Sequence, residues 1–253
     1  MVRYEVDGRV ATITLDRPDQ RNAIDPATTS AMDDAMQAFE ADPEVWVAVL
    51  TGEGAVFCAG ADLKALSAGK ASELVTERGG FAGFVRYPRT KPVIAAVVGP
   101  ALAGGTELVL ACDLVVASTS TSFGLPEVTR GIVAAGGGLF RLPRALPRAR
   151  AMELILTGDR MGADEALRHG MVNAVVADDE VLPTARALAA KLCVNAPLAV
   201  RESLALARDA LEVDDAQGWR RSAEAMDRIR ASDDAKEGPR AFAEKRTPRW
   251  TGR

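Results

Sequence analysis

Along the first fifteen residues apolar and polar positions alternate and turn at Asp7-Gly8, so residues 2–6 and Val10–Leu15 are expected to pair as a hairpin. Asp25-Pro26 then carries a helix-start signature, an N-cap carboxylate followed by proline at the first helical position. Ala31, Met32, Ala35, Met36 and Phe39 recur at helical spacing, and Asp42-Pro43 stops the run. Residues 45–51 form an almost unbroken apolar stretch, read as a buried strand, with a glycine-containing loop at 52–60 behind it. The spacing predicts a helix over 71–86, ended by Pro88. A second buried strand is expected at 93–98, a helix at 106–112 and a third strand at 113–118.

Buried strands alternating with helices imply an α/β core whose strands are largely parallel. From residue 178 to 246 the texture changes to Ala, Leu, Arg and Glu, with breaks near Asn195-Ala-Pro197 and Ser232-Asp-Asp234. The chain therefore divides into a core, 1–177, and a helical C-terminal region, 178–253. The second is too thin for its own core, so its apolar faces should pack on the first or on a neighbouring subunit.

Composition narrows the function classes. The 253 residues are 48% hydrophobic and 26% charged, an ordinary globular balance. A net charge of −4, and aromatics at only 5%, leave no basic stripe for nucleic acid. The longest uncharged stretch, residues 92–106, is broken by Gly99-Pro100 and falls short of the roughly 20 apolar residues that span a bilayer. Cys58, Cys112 and Cys193 have neither metal-ligand spacing nor an even count for disulfides, and no signal-peptide pattern opens the chain. A soluble cytoplasmic protein that uses no metal is expected.

Candidate chemistry centres on two carboxylates. Glu107 lies in Gly104-Gly-Thr-Glu-Leu-Val-Leu-Ala-Cys112, where a helix would set it among glycines and apolar side chains. Desolvation there would raise its pKa towards acid–base work, although a solvated helix-start glutamate is equally compatible with the residues. Glu127 follows Pro126 and has Phe123, Leu125 and Val128 as apolar cover; the competing reading is a turn glutamate paired with Arg130. Gly60-Ala61-Asp62 and Gly104-Gly105 both lead from a strand into a helix, and the free N–H groups of two such turns can hold an oxyanion. His169, the single histidine, reads as a helix C-terminal cap, which excludes a Ser-His-Asp triad or a histidine-rich metal site. Neither a GxGxxG nor a Walker loop nor a GxSxG elbow is present.

Read together, these pieces resemble a known family over nearly the whole chain. Arg17-Pro-Asp-Gln-Arg-Asn-Ala23, Phe57-Cys-Ala-Gly-Ala-Asp-Leu-Lys64, Lys91-Pro-Val-Ile-Ala-Ala-Val97 and Ala103-Gly-Gly-Thr-Glu-Leu108 match the crotonase, or enoyl-CoA hydratase/isomerase, superfamily. So do Phe123-Gly-Leu-Pro-Glu127, Gly136-Gly-Gly-Leu-Phe-Arg-Leu142 and Phe242-Ala-Glu-Lys-Arg-Thr-Pro248. The resemblance implies a spiral of ββα units with a C-terminal helical region that assembles trimers or hexamers. It implies an acyl-CoA thioester substrate, no separate cofactor, catalytic Glu107 and Glu127, and an oxyanion hole from the N–H groups of Ala61 and Gly104. CoA recognition maps onto Arg21, Ala23, Ala59, Ala61, Asp62, Leu63 and Lys64, with Phe242 and Lys245 contributing across a subunit boundary. The implied reaction is hydration of a trans-2-enoyl-CoA to a 3-hydroxyacyl-CoA, as in fatty-acid β-oxidation. The alternatives are an isomerase using Glu127 alone, a carnitinyl-CoA-type dehydratase, and a non-catalytic acyl-CoA-binding protein. Two departures bear on the pocket: Ala103 replaces a frequent glycine, and Val133-Ala134-Ala135 lies where many hydratases carry proline.

Overall fold

The computed structural model describes all 253 residues. The hairpin forms as expected: β1 (Val2–Asp7) runs antiparallel to β2 (Val10–Leu15), with Tyr4 opposite Ile13. Helix α1 (Pro26–Ala41) starts on Asp25, whose carboxylate accepts the Thr28 N–H at 2.8 Å, and buries Met32, Met36 and Phe39. Its last turn is closed by Lys91, a 2% exposed lysine whose ammonium donates to the Phe39 and Asp42 carbonyls, each at 2.6 Å. Strand β3 (Val47–Gly52) continues the sheet parallel to β2, with Ile13 opposite Leu50. A loop then leads to the short helix α2 (Leu63–Ser67).

The helix expected at 71–86 does not form. One 3-10 turn at Ala71–Leu74 is followed by a small hairpin of β4 (Val75–Thr76) and β5 (Gly80–Phe81). Tertiary contacts with α1 outweigh the helical spacing. Thr76 and Arg78 both bond Asp33, and Gly83 lies so close to Thr29 and Asp33 that a Cβ would sit 2.7 Å from the Thr29 carbonyl oxygen. Ala82 and Gly83 turn there with positive φ, which a helix cannot accommodate.

The chain then winds in a repeated manner. Strand β6 (Val93–Val97) enters the large sheet, β7 (Ala101–Leu102) enters a small one, and α3 (Gly104–Ala111) returns. The next turn repeats this with β8 (Leu114–Ser118), β9 (Ser122–Gly124) and, after a 3-10 turn at Pro126–Arg130, α4 (Gly138–Ala145). The preceding turn is the same motif with its second strand reduced to one bridge, Cys58 to Ala101. Helix α5 (Arg148–Thr157), strand β10 (Arg160–Gly162), helix α6 (Ala163–Arg168) and strand β11 (Ala174–Val176) complete the spiral. The large sheet runs β1-β2-β3-β6-β8-β11, parallel from β2 onward, and the small sheet runs β10-β9-β7. This is the α/β crotonase spiral.

Each face of the large sheet is covered. Met36, Phe39, Leu50, Phe57 and Leu108 belong to the main core on one side. On the other, α7 (Val181–Cys193) packs Val181, Ala185 and Ala189 against Val47, Val49, Ile94 and Val116. Helices α8 (Pro197–Arg208), α9 (Asp215–Arg230) and α10 (Asp234–Ala243) extend beyond it. Arg208 of α8 and Arg89 both clasp the Asp113 carboxylate, fastening this helical layer to the start of β8. His169 caps α6 as expected. No helix is long and apolar enough to cross a membrane.

Candidate active site

The spiral brings its connections together at one cleft. The backbone of Ile24 exchanges hydrogen bonds with Gly60 and Asp62 at 2.8 Å, and Ala59 donates to Arg21 at 3.0 Å, so loop 21–24 lies alongside loop 59–62. Asn22 fixes that pairing from a 1% exposed position. Its amide donates to the Glu53 and Val56 carbonyls, and its side-chain oxygen accepts the Arg17 N–H. The cleft between these loops, α3 and the Pro126–Arg130 turn holds about 1180 Å³, lined by Arg21, Ala23, Ala59, Ala61, Lys64, Glu107 and Glu127 among others.

The oxyanion-hole candidates meet because two backbones approach closely. A Cβ on Gly60 would stand 2.8 Å from the Ala103 Cβ and 3.1 Å from the Gly104 nitrogen. The Gly60 φ of +90° is open to glycine at little cost and brings Ala61 to this point. Neither the Ala61 nor the Gly104 N–H donates to a protein acceptor; Gly104 opens α3, where the first N–H groups have no intrahelical partner. Both Ala61 and Gly104 line the cavity.

Ala103 occupies φ 53°, ψ −126°, backbone that strongly favours glycine. Its position is enforced from both sides. The Ala103 N–H donates to the Gly124 carbonyl at 2.9 Å, and the buried Thr106 hydroxyl donates to Ala101 at 2.7 Å while accepting the Gly124 N–H at 3.0 Å. Thr106 thus stitches the α3 entry to β9. Nothing in its sequence neighbourhood signals that role.

The two glutamates sit in unlike surroundings. Glu107 is 4% exposed, which removes the solvated helix-start reading, and its Oε1 accepts the Gly138 N–H at 2.9 Å. Burial pushes its carboxyl up, opposed by the Gly138 and Gly136 N–H groups and by the nearby Arg141 charge. Gly136 leaves the carboxylate its space: a Cβ there would lie 2.5 Å from Glu107 Oε2, so the Glu107 side chain would have to shift. The triple glycine is therefore both a helix entry and the seat of a carboxylate.

Glu127 is 7% exposed on the Pro126–Arg130 turn, and its Oε2 is buried with no partner. The expected pair with Arg130 does not form; that arginine lines the cavity wall instead. Burial, reinforced by the Glu107 charge, drives the Glu127 carboxyl up to about 7 against a backbone hydrogen bond that lowers it. Both acids line one cavity and burial raises both carboxyls, against backbone donors and Arg141 at Glu107 and with the Glu107 charge adding to the rise at Glu127.

The remaining sequence candidates divide. Leu63 and Lys64 open α2 at the cavity, and Asp62 caps that helix, accepting the Lys64 N–H at 2.9 Å and lying 3.4 Å from Arg17. Phe242 and Lys245 stand apart from this cavity, at the end of α10, with Phe242 88% exposed. Cys58 is wholly buried in the core and its thiol is pushed up to about 12, consistent with a packing role. Arg141 lies inside the Gly136–Leu142 motif but is not singled out by it; its guanidinium donates to the Val85 carbonyl at 2.7 Å and the Gly136 carbonyl at 3.3 Å. Phe81, which packs against Gly104, has no signal in its sequence neighbourhood.

Comparison with known proteins accords with this geometry. A family model described as enoyl-CoA hydratase/isomerase matches residues 5–253. A carnitinyl-CoA dehydratase of Salmonella typhi is 46% identical over 253 residues, covering 98% of this chain and 97% of the relative. The crystal structure of an enoyl-CoA hydratase from Mycobacterium tuberculosis H37Rv superposes with a TM-score of 0.95 at 46% identity, covering 100% of this chain and 99% of that one. A carnitinyl-CoA hydratase from Mycobacterium avium superposes at 0.78 with 49% identity, covering 100% and 98%. With family model, sequence and fold in agreement over nearly all its length, the chain belongs to the enoyl-CoA hydratase/isomerase family.

Proposed function

We propose that the protein is a hydro-lyase that adds water reversibly across the double bond of a trans-2-enoyl-CoA. The observation that carries this reading is the asymmetry of the two glutamates: Glu107 is provided with a backbone donor, whereas Glu127 is left with an orphaned, buried oxygen. Ionised Glu107 takes a proton from water as its oxygen bonds to C3. The C2–C3 π electrons move toward the thioester, and protonated Glu127 delivers a proton to C2. The product is the 3-hydroxyacyl-CoA, and the captured water proton restores the pair's proton count after exchange between the carboxyls. The Ala61 and Gly104 N–H groups receive the thioester oxygen as charge develops on it, an arrangement in which one donor is typically worth about 10²–10³ in rate. The thioester supplies the activation, so no further cofactor enters the step.

CoA lies along Ala23, Ala59 and Asp62–Lys64 in this reading, with Arg21 and Lys64 as phosphate partners. Phe242 and Lys245 reach a neighbour's substrate. Assembly into trimers or hexamers is supported by the exposed Trp219 and Phe242 on the outer helices, at 77% and 88%. The two-part division into core and helical region follows from the same idea, and the free cysteines suit a cytoplasmic setting.

A second reading, a carnitinyl-CoA-type dehydratase, runs the same chemistry in reverse and is favoured by the identity to relatives named carnitinyl-CoA dehydratase and carnitinyl-CoA hydratase. The test is loss of conjugated-thioester absorbance when purified protein meets short- and medium-chain trans-2-enoyl-CoA. Rapid loss that disappears in Glu127→Gln supports the reading. Double-bond migration surviving in Glu107→Gln would replace it with an isomerase, and tight binding without turnover on any chain length with a binding protein.

A further inference from the structure

The socket of Glu107 is built from residues that cannot hold themselves in place. Gly136, Gly137 and Gly138 have no side chains to anchor them, and Gly137 turns with a φ of +106°. Consecutive glycines lose more backbone freedom on ordering than any other residues, so this stretch needs a constraint from outside.

Arg141 supplies one. It lies on the first turn of α4, and its side chain turns back toward the helix start, as long side chains on helices do. The guanidinium lies so close over the glycines that a Cβ on Gly137 would stand 2.5 Å from Nη1. Nη1 donates to the Gly136 carbonyl at 3.3 Å, and Nη2 donates to the Val85 carbonyl at 2.7 Å. Val85 donates its own N–H to the Phe81 carbonyl at 3.3 Å, and the Phe81 ring is the one pressed against Gly104. One planar fork thus ties the seat of Glu107 to the segment behind the Gly104 N–H, a bridge that a single ammonium does not reproduce.

The charges around the fork point the same way. Arg89 and Arg144 repel the guanidinium and Glu107 attracts it, while the Cys112 thiol, pushed up to about 12 by burial, stays neutral. On the other side, the charged groups that bear on Glu107 and its neighbour are Arg141 and the two carboxylates themselves.

We propose that Arg141 is a positioning residue for Glu107: by bridging the Gly136 and Val85 carbonyls it holds the glycine backbone in the conformation whose N–H groups meet the Glu107 carboxylate. The inference deepens the hydro-lyase reading and rests on it for the role of Glu107.

Two substitutions test it in the intact protein. Arg141→Met removes the bridge and keeps the bulk, whereas Arg141→Lys keeps the charge without the fork. Hydration of trans-2-butenoyl-CoA would be followed against pH, and butyryl-CoA affinity by calorimetric titration. Arg141→Met is expected to lower kcat by about 10²-fold, as for a catalytic group displaced by about 1 Å, with affinity nearly unchanged. The acid limb of its kcat/KM profile, which belongs to the pair of carboxyls, should move to higher pH. Arg141→Lys should return the limb to its parent position and recover only part of kcat, a split that a merely structural role would not produce. Arg144→Met, on the same helix but exposed and paired with Glu212, should change neither.

An unmoved limb in Arg141→Met, a lysine variant as active as the parent, or affinity falling in step with kcat/KM (the mark of a substrate contact) would each overturn the proposal. If Arg141→Met does not fold, Arg141→Lys decides by itself: kcat should fall about tenfold with affinity retained. If the parent hydrates no enoyl thioester, the hydro-lyase reading falls. The Glu107 carboxyl carbon, followed by NMR against pH and assigned with Glu107→Gln, then judges the socket separately. Titration at higher pH in Arg141→Met supports the positioning role, and unchanged titration removes it.

Discussion

Two walls of one cleft carry the same residue type to different ends. Glu107 projects from a regular helix into a socket made by the Gly136–Gly138 backbone, where an N–H group waits for its charge. Glu127 projects from a single 3-10 turn into a space that leaves one oxygen without a partner. Burial is similar for the two, at 4% and 7% exposure, so burial alone does not assign their roles. The local donors do. Two backbone donors and the Arg141 charge favour ionised Glu107, against a single backbone hydrogen bond at Glu127, and the Glu107 charge raises its neighbour further.

The severest way to break this comparison is to remove either carboxylate. Glu107→Gln and Glu127→Gln should each lower the hydration rate by about 10²–10⁴ while leaving thioester binding nearly intact. Single-turnover absorbance and equilibrium titration would measure the two effects separately. A rate within tenfold of the parent in either variant would remove that residue from the chemistry.

A subtler break leaves both acids in place and disturbs only one socket. Gly136→Ala puts a methyl group against Glu107 Oε2, where it would stand 2.5 Å away if nothing moved. Displacement of about 1 Å should cost about 10²-fold in kcat with a smaller change in KM. Equal losses in kcat and kcat/KM with an unchanged Glu127 inflection would locate the damage at the base.

The pH profile sharpens the comparison. Glu127 must be protonated to donate to C2, and its carboxyl is raised to about 7, so hydration should fall as pH rises through that value. Dehydration uses the same singly protonated pair with the proton on the other carboxyl, and the overall reaction releases no proton, so kcat/KM should fall over the same window in both directions. Parallel slopes, measured by initial rates in the two directions, would identify one shared proton; a direction insensitive to pH near 7 would remove Glu127 from it.

Stability offers a smaller effect with a defined sign. A carboxyl whose folded pKa exceeds its unfolded value favours the fold below the unfolded pKa and loses that contribution as pH rises through the folded pKa, here near 7. Glu127→Gln should therefore resist denaturant better than the parent at pH 8, by about 1 kcal/mol after allowance for solvent screening, with the gap closing below about pH 5. Chemical denaturation at the two pH values measures it. Smallest of all, Ala103→Gly should relieve the strain at φ 53° and raise stability by about 1 kcal/mol or less, because glycine also gains unfolded-state entropy.

Local pattern reached far into this molecule wherever local forces decide. The Asp7-Gly8 turn, the Asp25-Pro26 helix start, the apolar strands around 45–51 and 93–98 and the His169 cap are each dictated by neighbours in sequence, and each is present. The 71–86 segment shows the boundary: its helical spacing is overruled by the contacts of Thr76, Arg78 and Gly83 with α1, which lies far away in sequence.

The site divides in the same way. The motifs named both glutamates and the Ala61 and Gly104 turns, because carboxylates among apolar residues and glycines at helix starts are visible in a string of letters. How each carboxyl is shifted, why Gly136 leaves Glu107 its space and how Thr106 tethers Ala103 depended on segments brought together across the spiral. Hydrogen bonds, steric contact and desolvation act over a few ångströms in space, whatever the separation along the chain. The sequence by itself determined most of the elements and named the candidate carboxylates; only the tertiary structure decided the 71–86 segment and the surroundings of each acid.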